Sequence, residues 1–370
     1  MNIVYIAYSD IPSTMANSVN VMKMCQAFAE NGHTVTLIAP EHKDKNEKKT
    51  TDIYEYYGIT KRFEILFIPR INNKKRVFHF SFFAAKAAKR IKPDLIYTRS
   101  LSSCLFALNL KSKIILEYHT PFNKRNKLQG FLLKKTIYHK NFYKLILISK
   151  SLKHWYEEFL ISLQDKIQVV PSGADPIPDN LTPITLTNSG KRMQIGYVGN
   201  LYKGKGMEVL SKLAPLCSWA DFHVVGGTQA DINFWQTKCY EIKNLILHGY
   251  IPHNVTPSYM LAFDVLLLPN QENVIILSGN DIGQWTSPIK AFEYMSAKKP
   301  ILASDLPVLR EIFQDNVNAV LVHPEKIELW VEGLRKISTD IVFSQKIACN
   351  AYNDFIKKYT WSVRAQEVLK

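Results

Sequence analysis

Residues 287–312 read SPIKAFEYMSAKKPILASDLPVLREI, and their pattern sets the fold class. Apolar residues recur at helical spacing from Pro288 to Ala297, a short apolar run follows from Pro300 to Ala303, and a second helical stretch begins at Pro307. Helix, short buried strand, helix is the repeating unit of a parallel sheet covered on both faces. One residue breaks the pattern. Glu293 stands among apolar neighbours, Phe292 and Met295, in a helix opened by Ser287 and Pro288. A helix dipole favours an acid near the amino end; the other account is that the carboxylate faces a ligand.

The alternation extends in both directions. Upstream, strands at 2–8, 34–39, 64–69, 94–98, 113–118, 144–148 and 167–170 are short, β-branched and apolar on both faces, with helices such as 18–31, 79–91 and 151–160 between them. Residues 172–192 hold three prolines and no apolar periodicity, and read as a linker. The pattern restarts at strand 194–199 and runs to strand 318–322, with helices again from about 343. The expected architecture is α/β: two tandem, doubly wound, Rossmann-like domains, 1–171 and 193–342. Terminal helices fill 343–370, the last packing back on the first domain. Such sheets bind ligands at the carboxyl ends of their strands, here expected to face a central cleft.

At 370 residues the chain suits two domains rather than one core. No stretch reaches the roughly 18 uncharged apolar residues that a membrane span needs. The opening MNIVYIAYSD lacks a basic region and reads as a strand, not a signal peptide. Five scattered cysteines without CxxC spacing suit a reducing cytoplasm, and argue against a disulfide framework or structural zinc. The net charge of +15 lies wholly in the first half, where residues 1–171 carry 28 Lys and Arg against 13 Asp and Glu; residues 172–370 carry 19 of each. A solvated lysine-rich surface, an anionic membrane or a nucleic acid would each account for that excess.

Several stretches, taken in order, resemble family-4 retaining glycosyltransferases of the GT-B fold. They are MANSVNVMKMCQAFAENGHTVTLIAP, EYHTPF, LISKSL and VVPSGADP in the first half. IGYVGNLYKGKG, HGYIP, DVLLLPN, the 287–312 stretch and YTWSVRA follow in the second. The resemblance spans nearly the whole chain. It implies a nucleotide-diphosphate sugar as donor and a hydroxyl of a glycan or lipid-linked glycan as acceptor, in surface polysaccharide, lipopolysaccharide or glycoconjugate assembly.

The residues suit that chemistry. A departing nucleoside diphosphate needs amides and cations around it. Pro288 in a first turn has no N–H to leave unpaired, and the free N–H groups of Ile289 and Lys290 are able to point at a phosphate. In GNLYKGKG, after a strand, glycines from Gly199 onward let the backbone come close and Lys205 supplies a point charge. The resemblance implies that Glu293 accepts both ribose hydroxyls, that Ser287, Asn200 and Tyr250 border the donor, and that His119 meets the donor sugar. It also places Asn17 and Ser18, in the loop after the first strand, near the diphosphate and acceptor, with Arg99 reaching toward an anionic acceptor.

Two departures from the family pattern stand out. Trp285 replaces the first glutamate of the usual Glu-x7-Glu pair, and Asn200 replaces a diphosphate-binding arginine. Asp281 and Glu272 are nearby acids able to substitute. The departures keep in view a non-catalytic nucleotide-sugar or partner-binding relative, beside a nucleotide-sugar 2-epimerase-like enzyme of the same fold. The implied mechanism is transfer with retention, the acceptor attacking the face from which the diphosphate leaves, with orientation and charge stabilisation as the protein's share. No DxD-like pair and no His/Cys cluster is present, so neither metal nor cofactor is expected. Residues 124–144, KRNKLQGFLLKKTIYHKNFYK, hold seven cations, no acid and interleaved apolar residues. They predict peripheral attachment to the anionic inner face of the cytoplasmic membrane through Lys124, Arg125, Lys134 and Lys135, with no nucleic-acid partner.

Overall fold

The computed structural model describes residues 1–13, 15–42, 52–122, 126–160, 164–188, 190–276 and 279–370. They form two compact units, one of Met1–Pro171 with Trp361–Lys370 and one of Ser172–Thr360. Lys124 and Arg125 lie outside the described residues.

The first unit alternates strictly. β1 (Asn2–Ile6), α1 (Ala16–Glu30), β2 (Thr34–Pro40), the single turn α2 (Ile53–Tyr56), β3 (Glu64–Ile68), α3 (Arg76–Ile91) and β4 (Leu95–Thr98) come first. α4 (Leu101–Ala107), β5 (Lys113–Tyr118), α5 (Lys127–Ile137), β6 (Phe142–Leu147), α6 (Lys150–Phe159) and β7 (Ile167–Val169) follow. The seven strands form one parallel sheet in the order β3-β2-β1-β4-β5-β6-β7, with Ile3 opposite Val35 on one side and Leu95 on the other. The order reverses between β1 and β4, so the loops after these two strands diverge and leave a crevice at their carboxyl ends. Ile3 to Ile6 are fully buried, as a central strand covered on both faces requires.

The second unit repeats the scheme. β8 (Met193–Val198), α7 (Met207–Leu213), β9 (Ala220–Val225), α8 (Gln229–Lys238), β10 (Leu245–Gly249), α9 (Thr256–Ala262) and β11 (Val265–Leu268) are followed by α10 (Ile289–Ser296). β12 (Ile301–Ser304), the short α11 (Pro307–Arg310), β13 (Val320–Val322), α12 (Ile327–Thr339) and α13 (Ile341–Lys358) complete it. The parallel order is β10-β9-β8-β11-β12-β13, with its switch point between β8 and β11. Residues 172–192 form no helix or strand among those described, yet Ala174 and Leu186 are buried in this unit's core. The terminal helical run breaks at Tyr359–Thr360, and α14 (Trp361–Leu369) belongs to the first unit, packed on α1. There the Asn31 amide donates to the Ser362 carbonyl at 2.9 Å. Among the described residues no helix is long and apolar enough to cross a membrane.

Candidate active site

In the second unit most of the site residues gather at the switch point. β8 delivers the loop Gly199–Gly206 and β11 delivers the loop that begins at Pro269. The two are laced together: Gln271 N–H donates to the Gly204 carbonyl at 2.8 Å, and Ile275 N–H to that of Lys203 at 3.2 Å. Gly204 adopts φ +82°, and a Cβ there would lie 1.9 Å from the Asn273 carbonyl oxygen, so no side chain fits. This close approach folds Lys205 inward until it is 9 % exposed. Burial pushes its ammonium down to about 8.

A second lysine reaches the same place from α10. The Lys290 ammonium donates to the Tyr197 hydroxyl at 2.6 Å and lies 4.1 Å above that ring. It also fills the space over Gly199, where a Cβ would fall 2.6 Å from Nζ. Burial holds Lys290 well below its ordinary pKa, the Lys205 charge depresses it further, and Glu293 opposes both in part. Lys205 is thus drawn out of water and Lys290 partly so, and among the described residues neither forms a salt bridge. Such a pair is destabilised until an anion arrives.

The rest of this half-site frames the lysines. Pro288 is the N-cap of α10, in extended backbone, one position before the first turn expected for it. Ile289 and Lys290 are therefore the leading N–H groups of the helix. Ser287 is buried and its hydroxyl accepts from the Ser172 N–H at 3.0 Å. The Asn200 side chain is exposed, while its carbonyl takes the Tyr197 hydroxyl at 2.6 Å. Tyr250 is exposed at the end of β10, on the sheet's edge. Glu293 is partly exposed, and its Oε1 is 2.9 Å from His253 Nε2, a partner that the sequence reading did not name. Asp281 is engaged within its own loop, one carboxylate oxygen accepting from both Val274 and Gly283 N–H at 2.8 Å, whereas Glu272 is exposed.

The first unit holds the other candidates, again at its switch point. Asn17 and Ser18 are not in a loop: they occupy the first turn of α1. Ser18 is buried, its hydroxyl donating to the Ser13 and Met15 carbonyls at 2.7 and 2.8 Å, so it fastens the preceding loop instead of facing a ligand. Asn17 is exposed, donates to the Ser9 hydroxyl at 3.0 Å and accepts from Arg99, which follows β4.

His119, just beyond β5, is organised by a residue that sequence reasoning passed over. Glu117 is 1 % exposed, inside the sheet. One of its carboxylate oxygens faces His119 Nε2, with Arg99 Nε 4.0 Å away; the other accepts from the Tyr97 hydroxyl and, at 2.7 Å, from Arg364 of α14. Burial alone would raise Glu117, but Arg364, His119 and Arg99 hold it well below the usual carboxylate range. Burial and the Arg99 charge push His119 down to about 4, against the pull of Glu117. An ionised carboxylate only accepts, so the neutral imidazole carries its proton on Nε2 and keeps an acceptor lone pair on Nδ1. Lys134 and Lys135 lie apart from these groups, exposed on α5.

Comparison with known proteins identifies the family. Residues 18–177 match the model of Glycosyltransferase Family 4, and residues 192–340 that of Glycosyl transferases group 1. The chain belongs to the family-4-like glycosyltransferases of the GT-B fold. An uncharacterized glycosyltransferase of Methanocaldococcus jannaschii is 24 % identical over 241 residues, a match spanning 61 % of this chain and 58 % of that relative's length. Among solved structures, a glycosyltransferase from Rickettsia africae superposes with TM-score 0.74 at 15 % identity, covering 100 % of this glycosyltransferase and 97 % of the other chain. Anabaena Alr3699/HepE in complex with UDP gives 0.71 at 14 % identity, covering 100 % and 98 %. WaaG, a glycosyltransferase involved in lipopolysaccharide biosynthesis, gives 0.63 at 15 % identity, covering 99 % and 98 %. At these identities the structures speak for the fold alone.

Proposed function

We propose that the protein moves a sugar, with retention, from a nucleoside-diphosphate sugar to a hydroxyl of a glycan or glycolipid acceptor, without a metal. One observation carries the reading: Lys205, buried, and Lys290, half-buried, stand together at the amino end of α10, and among the described residues neither forms a salt bridge. A diphosphate would supply the missing negative charge, and the Ile289 and Lys290 N–H groups would add donors. The Glu293 oxygen not bonded to His253 would accept from the ribose. In the reaction the bond from the anomeric carbon to the diphosphate oxygen breaks and a bond to the acceptor oxygen forms on the same face. The departing phosphate oxygen takes the acceptor's proton, so no protein base is needed.

His119 fits a positioning role in this scheme. An imidazole held down to about 4 is a weak base at neutral pH, but its free Nδ1 is suited to accept a sugar hydroxyl. With Trp285 in place of the first glutamate, the donor sugar is left to experiment. HepE was solved with UDP and with UDP-glucose, which makes uridine-linked donors the first to test. WaaG and WaaB, structural neighbours named for lipopolysaccharide synthesis, favour a lipid-linked glycan acceptor, and such an acceptor would be met at a membrane surface.

The test is thermal shift against UDP, GDP and their sugars, followed by product analysis with the ligand that stabilises most. A ligand at about 100 times its Kd adds about 2.7 kcal/mol. If no nucleoside diphosphate stabilises the protein, the reading fails. Stabilisation without turnover on any lipid or glycan acceptor would instead favour the non-catalytic relative, which the absence of the first glutamate already motivates.

A further inference from the structure

α3 is built against the usual order of an amphipathic helix. Its inner side is mostly small, with Ser81, Ala84, Ala85 and Ala88 buried beside a single aromatic, Phe80. Its outer side carries the large groups: Phe78, Phe82 and Phe83 are 56, 50 and 40 % exposed. A surface helix of a soluble domain normally shows the reverse. The aromatic patch continues sideways, because α4 packs beside α3 and α5 beside α4. Phe106 of α4, 40 % exposed, meets Phe82 edge-on at 5.8 Å, and α5 adds Leu128 and Phe131, 66 and 64 % exposed.

Charge brackets the patch. Lys74, Lys75 and Arg76 precede the phenylalanines, and Lys86, Lys89 and Arg90 follow them, all exposed. The two groups stand about 15 Å apart, given the rise of an α-helix. The sequences of α3, α4 and α5 contain no Asp or Glu, and among the described residues none of these six cations forms a salt bridge. Cations held free around an aromatic centre, without an acid to pair them, complement a surface that is anionic outside and apolar beneath. A protein partner would have to match six cations with acids at fixed points, whereas a fluid layer of anionic headgroups adjusts to them, and phenylalanine rings enter the acyl boundary below.

We propose that this outward face of α3, with its neighbours α4 and α5, docks the first unit on an anionic lipid bilayer. The proposal rests on the membrane-peripheral reading above and moves the principal contact from the 124–144 segment to α3. Phe82 and Phe83 would insert, and Lys86, Lys89 and Arg90 would lie among the headgroups.

The experiment is flotation of the full chain with vesicles of phosphatidylcholine, alone or mixed with phosphatidylglycerol. Four proteins are compared: wild type, Phe82→Ser with Phe83→Ser, Lys86→Ser with Lys89→Ser and Arg90→Ser, and a control, Phe234→Ser with Tyr240→Ser. The control removes two exposed aromatics from the second unit. The expected result is binding to the anionic vesicles only, weakened roughly tenfold per phenylalanine removed and unchanged in the control. The cation variant should lose roughly fivefold per charge at low salt and little at high salt. Thermal stabilisation by UDP should be the same in all four, which separates this test from the donor reading. If wild type floats but the α3 variants float equally well, the α3 face is refuted while peripheral attachment stands. If wild type floats with no vesicle, both fall. Light scattering that finds a dimer broken by the phenylalanine changes would name a second copy as the occupant and overturn the proposal.

Discussion

Replacing Arg364 by methionine removes a deeply buried cation of the first unit while keeping most of its volume. The guanidinium donates to Glu117 at 2.7 Å and to the Pro171 carbonyl at 2.7 Å, and touches Met24 Sδ at 3.1 Å. Removing one partner of a buried ion pair costs about 3–5 kcal/mol, because the other charge is left behind. For a unit of this size that lowers Tm by roughly 10 °C. The pH dependence carries the sign. In wild type the folded Glu117 pKa is depressed, so its stabilisation is present above the unfolded carboxylate pKa and is lost as pH falls through the folded value. In Arg364→Met burial is less opposed and that pKa rises, so the deficit is greatest at neutral pH and narrows on acidification. Urea melts of the two proteins, followed by fluorescence at pH 7.5 and 5, measure this. Adding Glu117→Gln to Arg364→Met should recover part of the loss at pH 7.5. A deficit below about 1 kcal/mol, or a double variant no better than the single one, would refute the reasoning.

Lys205→Met should weaken UDP binding by roughly tenfold or more while leaving uridine almost unaffected, as calorimetry with both ligands would show. In wild type, UDP affinity should fall as pH rises through about 8, where free Lys205 loses its proton, and the variant should lack that step. Glu293→Ala should weaken binding of UDP by roughly 10- to 100-fold without lowering Tm in the absence of ligand. Arg99→Met removes a charge that depresses His119, so the imidazole midpoint, about 4 in wild type, should move upward in nitrogen-15 NMR spectra; an unmoved midpoint would exclude Arg99 as a cause.

The sheets were readable because the strands are short and mostly apolar, the central ones on both faces, a signature that needs no distant partner. Starts and ends of helices were harder. The α1 start is misplaced by two residues because Ser18 has the composition of an N-cap, whereas Met15 holds that position with no side-chain hydrogen bond. α12 was overlooked, although Ile327, Trp330, Leu334 and Ile337 repeat at helical spacing. In the site, Lys205 was legible from the glycines around it and the Ile289 and Lys290 N–H groups from a helix start, both local signals, whereas the turn of the Lys290 side chain onto Tyr197 was not. Glu117 left a trace, an acid inside the apolar strand KIILEY. Its pairing with Arg364, 247 positions away, and that of His253 with Glu293, 40 away, left none, since no local pattern encodes a contact made by folding.

The return of α14 to the first unit also has a consequence for how the protein is made. Translation completes residues 1–171 and then all of 172–360 before Arg364 leaves the ribosome. At about 5–20 residues per second, this interval lasts roughly 10–40 s. Throughout it Glu117 has no Arg364 and the α1 surface under α14 is bare. The unit synthesised first is thus the one sealed last, and it is during this wait that a nascent-chain chaperone would have something to hold.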